Sequence, residues 1–270
     1  MRFDLVMPAH NEELRIDRTL HSYRAAIPEP DVRFWVALDG CDDGTAAVVR
    51  RHATEDPRVG WLDFPKLGKG GVLAEAFRVC AASDAEAVGF VDADGATPPE
   101  ELRRLVHAVE DGADIAIGSR RHPTSVMPGR RSVTRRVTSA GFAFGIRRLF
   151  SVPFADTQCG AKVLRVEVVR RVAPLLSSRD FLFDVDVLHT AHTLGFSVAE
   201  VPTVWIDQPG SRLRPLGDAR RMLSSSLRLW VHHKVMPVDG ARGDVSSVHL
   251  PDSGRVVRPT GRLEVDDVAS

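Results

Sequence analysis

Apolar residues along this chain fall into short continuous runs, separated by stretches with helical spacing. Phe3 to Met7 is one run, closed by Pro8, and Asn11-Glu12-Glu13 leads into a helical pattern through Ile16 and Leu20. Val32 to Leu38 is a second run ending at Asp39-Gly40, and Asp43 is suited to cap a helix through Val48-Val49. Val59 to Leu62 is a third, shorter run. Gly68-Lys69-Gly70-Gly71 then precedes a helix carrying Leu73, Ala76, Phe77 and Cys80. Ala87 to Val91, Ile115 to Gly118 and Ala161 to Leu164 read as further strands. A helix opens at Pro98-Pro99, and another covers Leu182 to Leu194. Val198 to Ile206 reads as a strand with Pro202 marking an edge or an irregularity. Strands alternating with helical patterns predict βαβ units and a mainly parallel, Rossmann-like α/β sheet flanked by helices.

The run Ala87 to Val91 carries the candidate chemistry at its end. Asp92 and Asp94 follow it, Gly95 turns the chain, and Glu100 and Glu101 sit in the first turn of the next helix. In an open α/β sheet ligands gather outside the carboxyl ends of strands. Two acids one residue apart repel unless a cation lies between them, and a hard divalent ion with positions left for diphosphate oxygens meets that need. Alone, the pair would serve equally well as an Asp turn ahead of a helix.

Composition narrows the function classes. Lys plus Arg equals Asp plus Glu at 36 each, so the net charge is zero, which argues against nucleic acid as a partner. Cys41, Cys80 and Cys159 are odd in number and lack metal-ligand spacing, which suits a reducing, cytoplasmic setting. Acidic residues interrupt the N-terminal segment, so no secretory signal is expected, and no run reaches the roughly 20 apolar residues of a membrane span. The expected organisation is one catalytic domain over residues 1–236 and a flexible tail over 237–270. In the domain's last helix, Leu223, Leu227, Trp230 and Val231 share one face, and Asp218 is suited to cap it. Charge is nevertheless uneven. From Ile115 to Ala155 there is no acid, yet the stretch holds Arg120, Arg121, Arg130, Arg131, Arg135, Arg136, Arg147 and Arg148. One-sided charge of this kind implies an anionic ligand or surface. There is no G-x-G-x-x-G after the first strand, and Gly68 to Gly71 lacks P-loop spacing, so a dehydrogenase or NTPase is disfavoured.

In order along the chain, Val6-Met7-Pro8-Ala9-His10-Asn11-Glu12, Leu38-Asp39-Gly40-Cys41-Asp42-Asp43-Gly44-Thr45, Leu67-Gly68-Lys69-Gly70, Asp92-Ala93-Asp94, Gly118-Ser119-Arg120 and Asp156-Thr157-Gln158-Cys159-Gly160-Ala161-Lys162 resemble the motifs of the family-2 glycosyltransferases, which have the GT-A fold. The likeness runs from about residue 3 to 234. Within the family it is strongest toward the dolichyl-phosphate β-glucosyltransferases, extended by Phe183 to Asp186 and Gly210 to Leu213, with the mannose synthases next. The resemblance implies that Pro8, Asn11, Glu12, Asp39 and Lys69 line the nucleotide site, with Asp39 accepting a hydrogen bond from the base. It implies that Asp92 and Asp94 hold Mg²⁺ or Mn²⁺ against the diphosphate, Asp94 as the direct ligand. Arg131 and Arg135 match acceptor-side arginines, Arg120 closes the same pocket, and Arg212 matches a basic residue over the diphosphate. Leu38, His10 and Asp186 depart from the family's usual Asp, Tyr and Glu. A membrane-anchoring N-terminal segment like that of the eukaryotic glucosyltransferases is not expected.

The implied reaction is inverting transfer of a hexose, glucose first and mannose second, from UDP-glucose or GDP-mannose to a polyprenyl-type phosphate. A phosphate acceptor has a second pKa of about 6 and is largely a dianion at neutral pH, so it needs holding rather than deprotonating. Arginines hold phosphate oxygens bidentately. Asp156 has two readings: general base toward a hydroxyl acceptor, or organiser of a loop. An acceptor of this kind would bring the protein to a membrane surface, directly or through a membrane partner protein. A soluble or glycan hydroxyl acceptor, a sugar-nucleotide nucleotidyltransferase and a non-catalytic sugar-nucleotide binder are the alternatives. The second would show an N-terminal glycine-rich loop, and the intact Asp92/Asp94 pair with Arg131 and Arg135 opposes the third.

Overall fold

Strand follows helix from Phe3 onward, as the apolar runs require. The structure is a computed structural model that describes residues 1–128, 133–208, 219–236 and 255–257; at 133–137, 219–221 and 255–257 it describes the backbone. The first half runs β1 (Phe3–Ala9), α1 (Glu13–Ala26), β2 (Val32–Asp39), α2 (Thr45–Glu55), β3 (Val59–Phe64), α3 (Lys69–Ala81), β4 (Ala87–Val91) and α4 (Pro99–Glu110). The second half runs β5 (Ile115–Ser119), α5 (Val133–Phe150), β6 (Ala161–Arg165), α6 (Val166–Val172), α7 (Phe183–Thr193), β7 (Val198–Pro202), α8 (Ala219–Val235) and β8 (Arg255–Val257).

The strands form one sheet in the order β7-β5-β6-β4-β1-β2-β3-β8. β1 pairs in parallel with both β2 and β4, so the chain's direction of travel across the sheet reverses between them. That crevice is where such sheets bind ligands. β4 is buried at all five positions, as expected of a strand covered on both faces. One face packs on α1, α2 and α4 through Ile16, Leu20, Val49, Leu102 and Leu105. The other packs on α3, α6 and α7, where Phe77, Phe90 and Phe183 meet with ring centroids 5.5–6.2 Å apart.

Several expectations change. β6 lies antiparallel between β4 and β5, so the sheet is mixed, though still mostly parallel. β7 stops at Pro202 rather than Ile206. Beyond it the amides of Thr203, Trp205 and Ile206 bond to Ser125, Val126 and Ala96 instead of to a neighbouring strand. α5 and α6 had no visible signature. α5 carries two glycines and scattered β-branched residues, which weaken helical periodicity. The three-residue β8 falls within the expected tail and pairs antiparallel with β3. The rest of 237–270, and Asp218 as a cap, lie outside the described residues. Asp43 bonds the Thr45 amide (2.9 Å) from one residue before the helix boundary at Gly44. Among the described residues no helix is long and apolar enough to cross a membrane.

β6 carries an unusual core residue. Lys162 is fully buried opposite Phe90; its Nζ donates to Asp184 Oδ1 (2.5 Å) and to the Cys159 carbonyl (2.7 Å) and sits over the Phe90 ring. Removing one member of a buried pair strands the other charge. Lys162→Met should therefore cost about 3–5 kcal/mol in urea denaturation. Lys162→Met combined with Asp184→Leu should recover most of that loss, which a simple packing defect would not.

Candidate active site

The site is built on the carboxyl ends of β1, β2 and β4. At the end of β2, Asp39 is almost wholly buried. Its Oδ1 accepts the Leu67 (2.6 Å) and Gly68 (3.0 Å) amides, and its Oδ2 accepts Lys66 Nζ (2.8 Å). Asp39 thus anchors the glycine-rich segment that leads into α3, a role the sequence did not disclose. Beside it, Pro8 pairs with Ala37 one residue before the end of β1, and His10 Nδ1 donates to the Asp39 carbonyl (2.8 Å). Asn11 takes a left-handed backbone (φ 54°) and exchanges side-chain bonds with Asp42. Glu12 receives the Arg15 guanidinium at 2.5 and 2.7 Å while its own amide bonds Thr45 Oγ1. These residues lie together beside the end of β2.

The acidic pair lies at the centre. Lys69, at the start of α3, donates to Asp92 Oδ1 (2.5 Å). Burial alone would lower the Lys69 ammonium, but Asp92 and the more distant Asp184 hold it well above its ordinary value. Lys69 is placed by its glycine neighbours. A Cβ on Gly70 would come within 2.7 Å of the Arg179 and Asp180 backbone, so only glycine lets α3 start this close to that loop. Opposite Lys69, a Cβ on Gly160 would come to 2.0 Å from Asp92 Oδ2. The Gly160 carbonyl accepts the Asp92 amide. α1 supports the same loop from below: Thr19 Oγ1 donates to the Ala93 carbonyl (2.9 Å) and Tyr23 OH to the Thr97 carbonyl (2.9 Å). Neither Gly160, Thr19 nor Tyr23 stood out beforehand as serving the site, since each acts through a contact distant in sequence.

Asp94 differs from Asp92. Its Oδ1 accepts the Ala96 amide (2.9 Å), and among the described residues it makes no ion pair. Its pKa is raised, first by burial and then by the Asp92 charge, with the Ala96 amide, Arg15 and Lys69 offsetting only part. No third His, Cys, Asp or Glu among the described residues completes a metal cage with the pair. Two hard oxygen donors with open positions fit Mg²⁺ or Mn²⁺, ions that keep places for water and diphosphate oxygens. Asp94, which lacks a cation of its own, is the better placed of the two to ligate.

On the far side, Arg120 forks onto Asp156 through Nε (2.7 Å) and Nη2 (2.9 Å), its amide bonds the same carboxylate, and its guanidinium lies 5.0 Å over the Trp205 ring. Burial would raise Asp156, but the Arg120 hydrogen bonds and charge outweigh it and hold the carboxyl below its usual range. Glu200 accepts the Ala155 and Asp156 amides, fixing the loop further. Of the two readings of Asp156, this geometry fits the loop organiser: both oxygens are occupied. Asp186, where the family has Glu, receives the Ser177 and Ser178 amides (2.8 Å each) and so holds the loop that packs on Gly70. Arg131 and Arg212 lie outside the described residues, and Arg135 is described only as a backbone position in the first turn of α5.

A mostly parallel α/β sheet with an acidic pair at its switch point has the GT-A architecture, and the comparisons agree. The model of glycosyl transferase family 2 matches residues 4–173, and the chain belongs to that family of glycosyltransferases. It is 30% identical to the dolichyl-phosphate beta-glucosyltransferase of Dictyostelium discoideum, covering 83% of this chain and 72% of that protein. It is 31% identical to the undecaprenyl-phosphate mannosyltransferase of Micrococcus luteus, covering 82% and 87%. It is 32% identical to glycosyltransferase AglD of Haloferax volcanii, where 86% of this chain spans only 38% of the relative's length. A solved structure of glucosyl-3-phosphoglycerate synthase from Mycobacterium tuberculosis with Mn²⁺, UDP-glucose and phosphoglyceric acid shares the fold at a TM-score of 0.64 and 16% identity, covering 85% of this chain and 79% of that one.

The raised Asp94 carboxyl has a testable consequence. The folded group keeps its proton to higher pH than the unfolded one. Its stabilising share is therefore present below the unfolded pKa and lost as pH rises through the raised value. Asp94→Asn should raise the melting temperature at neutral pH by an amount that narrows on acidification. In calorimetry the same variant should bind Mn²⁺ with nucleoside diphosphate far more weakly than wild type.

Proposed function

We propose that this chain is a metal-dependent, inverting hexosyltransferase that moves glucose, or secondarily mannose, from UDP-glucose or GDP-mannose to a polyprenyl phosphate. The observation that carries the reading is the asymmetry of the acidic pair: Asp92 neutralised by Lys69, Asp94 half-buried without a cation at the sheet's switch point. The names of the relatives in Dictyostelium and Micrococcus support the acceptor class.

In this mechanism Asp39, Asn11 and Glu12 shape the wall against which the nucleotide lies, with Asp39 acting through the Leu67–Gly68 loop and any bond to the base added to those it already accepts. Asp92 and Asp94 would hold the cation, which when bound neutralises the diphosphate and stabilises it as a leaving group. Lys69 holds Asp92 in place by its hydrogen bond. A phosphate oxygen of the acceptor bonds the anomeric carbon as the bond to the nucleoside diphosphate breaks from the opposite face. A dianionic acceptor gives up no proton in this step, so no free general base is required. The occupied Asp156 agrees with that demand and weighs against a hydroxyl acceptor. Arg120 shapes the far wall, Arg131 and Arg135 hold the acceptor phosphate, and Arg212 covers the diphosphate; the reaction takes place at the cytoplasmic face of a membrane.

Purified protein offered UDP- and GDP-hexoses with a polyprenyl phosphate, with and without EDTA, tests the reading directly. Transfer confined to the polyprenyl phosphate and abolished by EDTA is expected; metal-independent transfer, or transfer only to hydroxyl acceptors, would sink it. Arg131→Ala and Arg135→Ala should each cost on the order of ten- to a hundredfold in acceptor kcat/KM, from about 1.5–3 kcal/mol per charged hydrogen bond. Donor affinity should hold, and Arg→Lys should restore only part of the loss.

A further inference from the structure

α8 carries apolar residues on both its inward and its outward side. Its inward face buries Ser225, Ser226 and Leu229, and His233 Nε2 donates to the buried Asp186 (2.8 Å). The outward row, four residues apart along the helix, is Leu223, Leu227, Val231 and Val235, exposed by 71, 56, 44 and 73%. The sequence grouped Leu223, Leu227, Trp230 and Val231 on one apolar face; the structure splits it, turning Leu223, Leu227 and Val231 outward while Trp230 is partly buried against the core. A helix that faces water places its polar side outward. Here Leu229, Trp230 and the His233–Asp186 bond hold the inward side, and a second apolar row is left facing out.

The neighbouring α5 continues the theme. It packs against α8, with Phe150 6.4 Å from His233 between ring centroids. On its outer side Phe144 is 71% exposed, and Arg147 and Arg148 follow one turn on. These three, with Val152, Pro153 and His192 of α7, line an open groove of about 510 Å³. Neither arginine makes an ion pair among the described residues, and neither α5 nor α8 contains an acidic residue. Arg228 and Lys234 are also exposed on α8.

We propose that the outer faces of α5 and α8 dock on an anionic lipid bilayer, the aliphatic row and Phe144 entering its surface while Arg147 and Arg148 take lipid phosphates in the groove. The charge decides the occupant: aliphatic residues beside unpaired cations, with no acid on either helix, match anionic headgroups over acyl chains. A second copy of this chain would set those cations against one another. The inference stands independently of the acceptor's identity.

The test is sedimentation of the full chain with vesicles of phosphatidylglycerol and phosphatidylcholine, or of phosphatidylcholine alone, at low and high salt. Wild type should bind the anionic vesicles at low salt, less at high salt, since salt screens surface charge. Arg147→Ala/Arg148→Ala should weaken that binding by about twenty-five-fold, at roughly a factor of five per basic residue. Leu223→Ser/Leu227→Ser should weaken it at both salt levels. UDP-sugar binding by calorimetry should be unchanged in both variants, which reports that they are folded. No vesicle binding by wild type, equal binding to neutral vesicles, or variants that bind like wild type would each overturn the proposal. Vesicle binding without sugar transfer would leave it standing while removing the proposed function, and transfer without vesicle binding would do the reverse.

Discussion

Two carboxylates, Asp92 and Asp94, share the end of one buried strand, and much of the local architecture manages their repulsion. Lys69 answers the first charge. It can do so because glycines at 68 and 70 let α3 begin against the Arg179–Asp180 backbone, and because Asp39 holds the preceding loop by its amides. The second charge is left unanswered, and burial makes it costly. A site that stores cost in this way is prepared for a cation, at the expense of its own stability.

Around that pair the protein uses buried ion pairs as framework. Arg120 and Asp156 tie the end of β5 to the loop before β6, and Lys162 and Asp184 tie β6 to α7. Asp186, two residues on, ties α7 both to the 177–178 loop and to α8. The chain of contacts therefore runs from α8 through Asp186 to the loop that lodges Gly70, one residue from Lys69. Buried pairs contribute little net stability over apolar packing, but they specify geometry when every partner is satisfied. The placement of α8 agrees with that specification: His233 is held inward at Asp186 beside Leu229, and the aliphatic row is left outside.

Much was legible in the sequence because it is local. Apolar runs of strand length, bounded by Pro8, Asp39-Gly40 and Asp92, determine β1, β2 and β4, and their alternation with helical spacing determines a parallel α/β sheet. The acidic pair, Lys69 and the arginine-rich, acid-free stretch are equally plain, since charge type and spacing are written along the chain. What tertiary structure decided are contacts between distant segments. Gly160 is required by Asp92, 68 residues away, and Asp39 is occupied by Lys66 to Gly68 rather than left open. Arg120 occupies both oxygens of Asp156, and β6 enters antiparallel because pairing, not periodicity, sets strand direction. The helical wheel of α8 identified its apolar row but not which way the row faces. That was decided by contacts with distant segments, the packing of Leu229 and Trp230 on the core and the bond from His233 to Asp186, 47 residues apart, which no local pattern encodes.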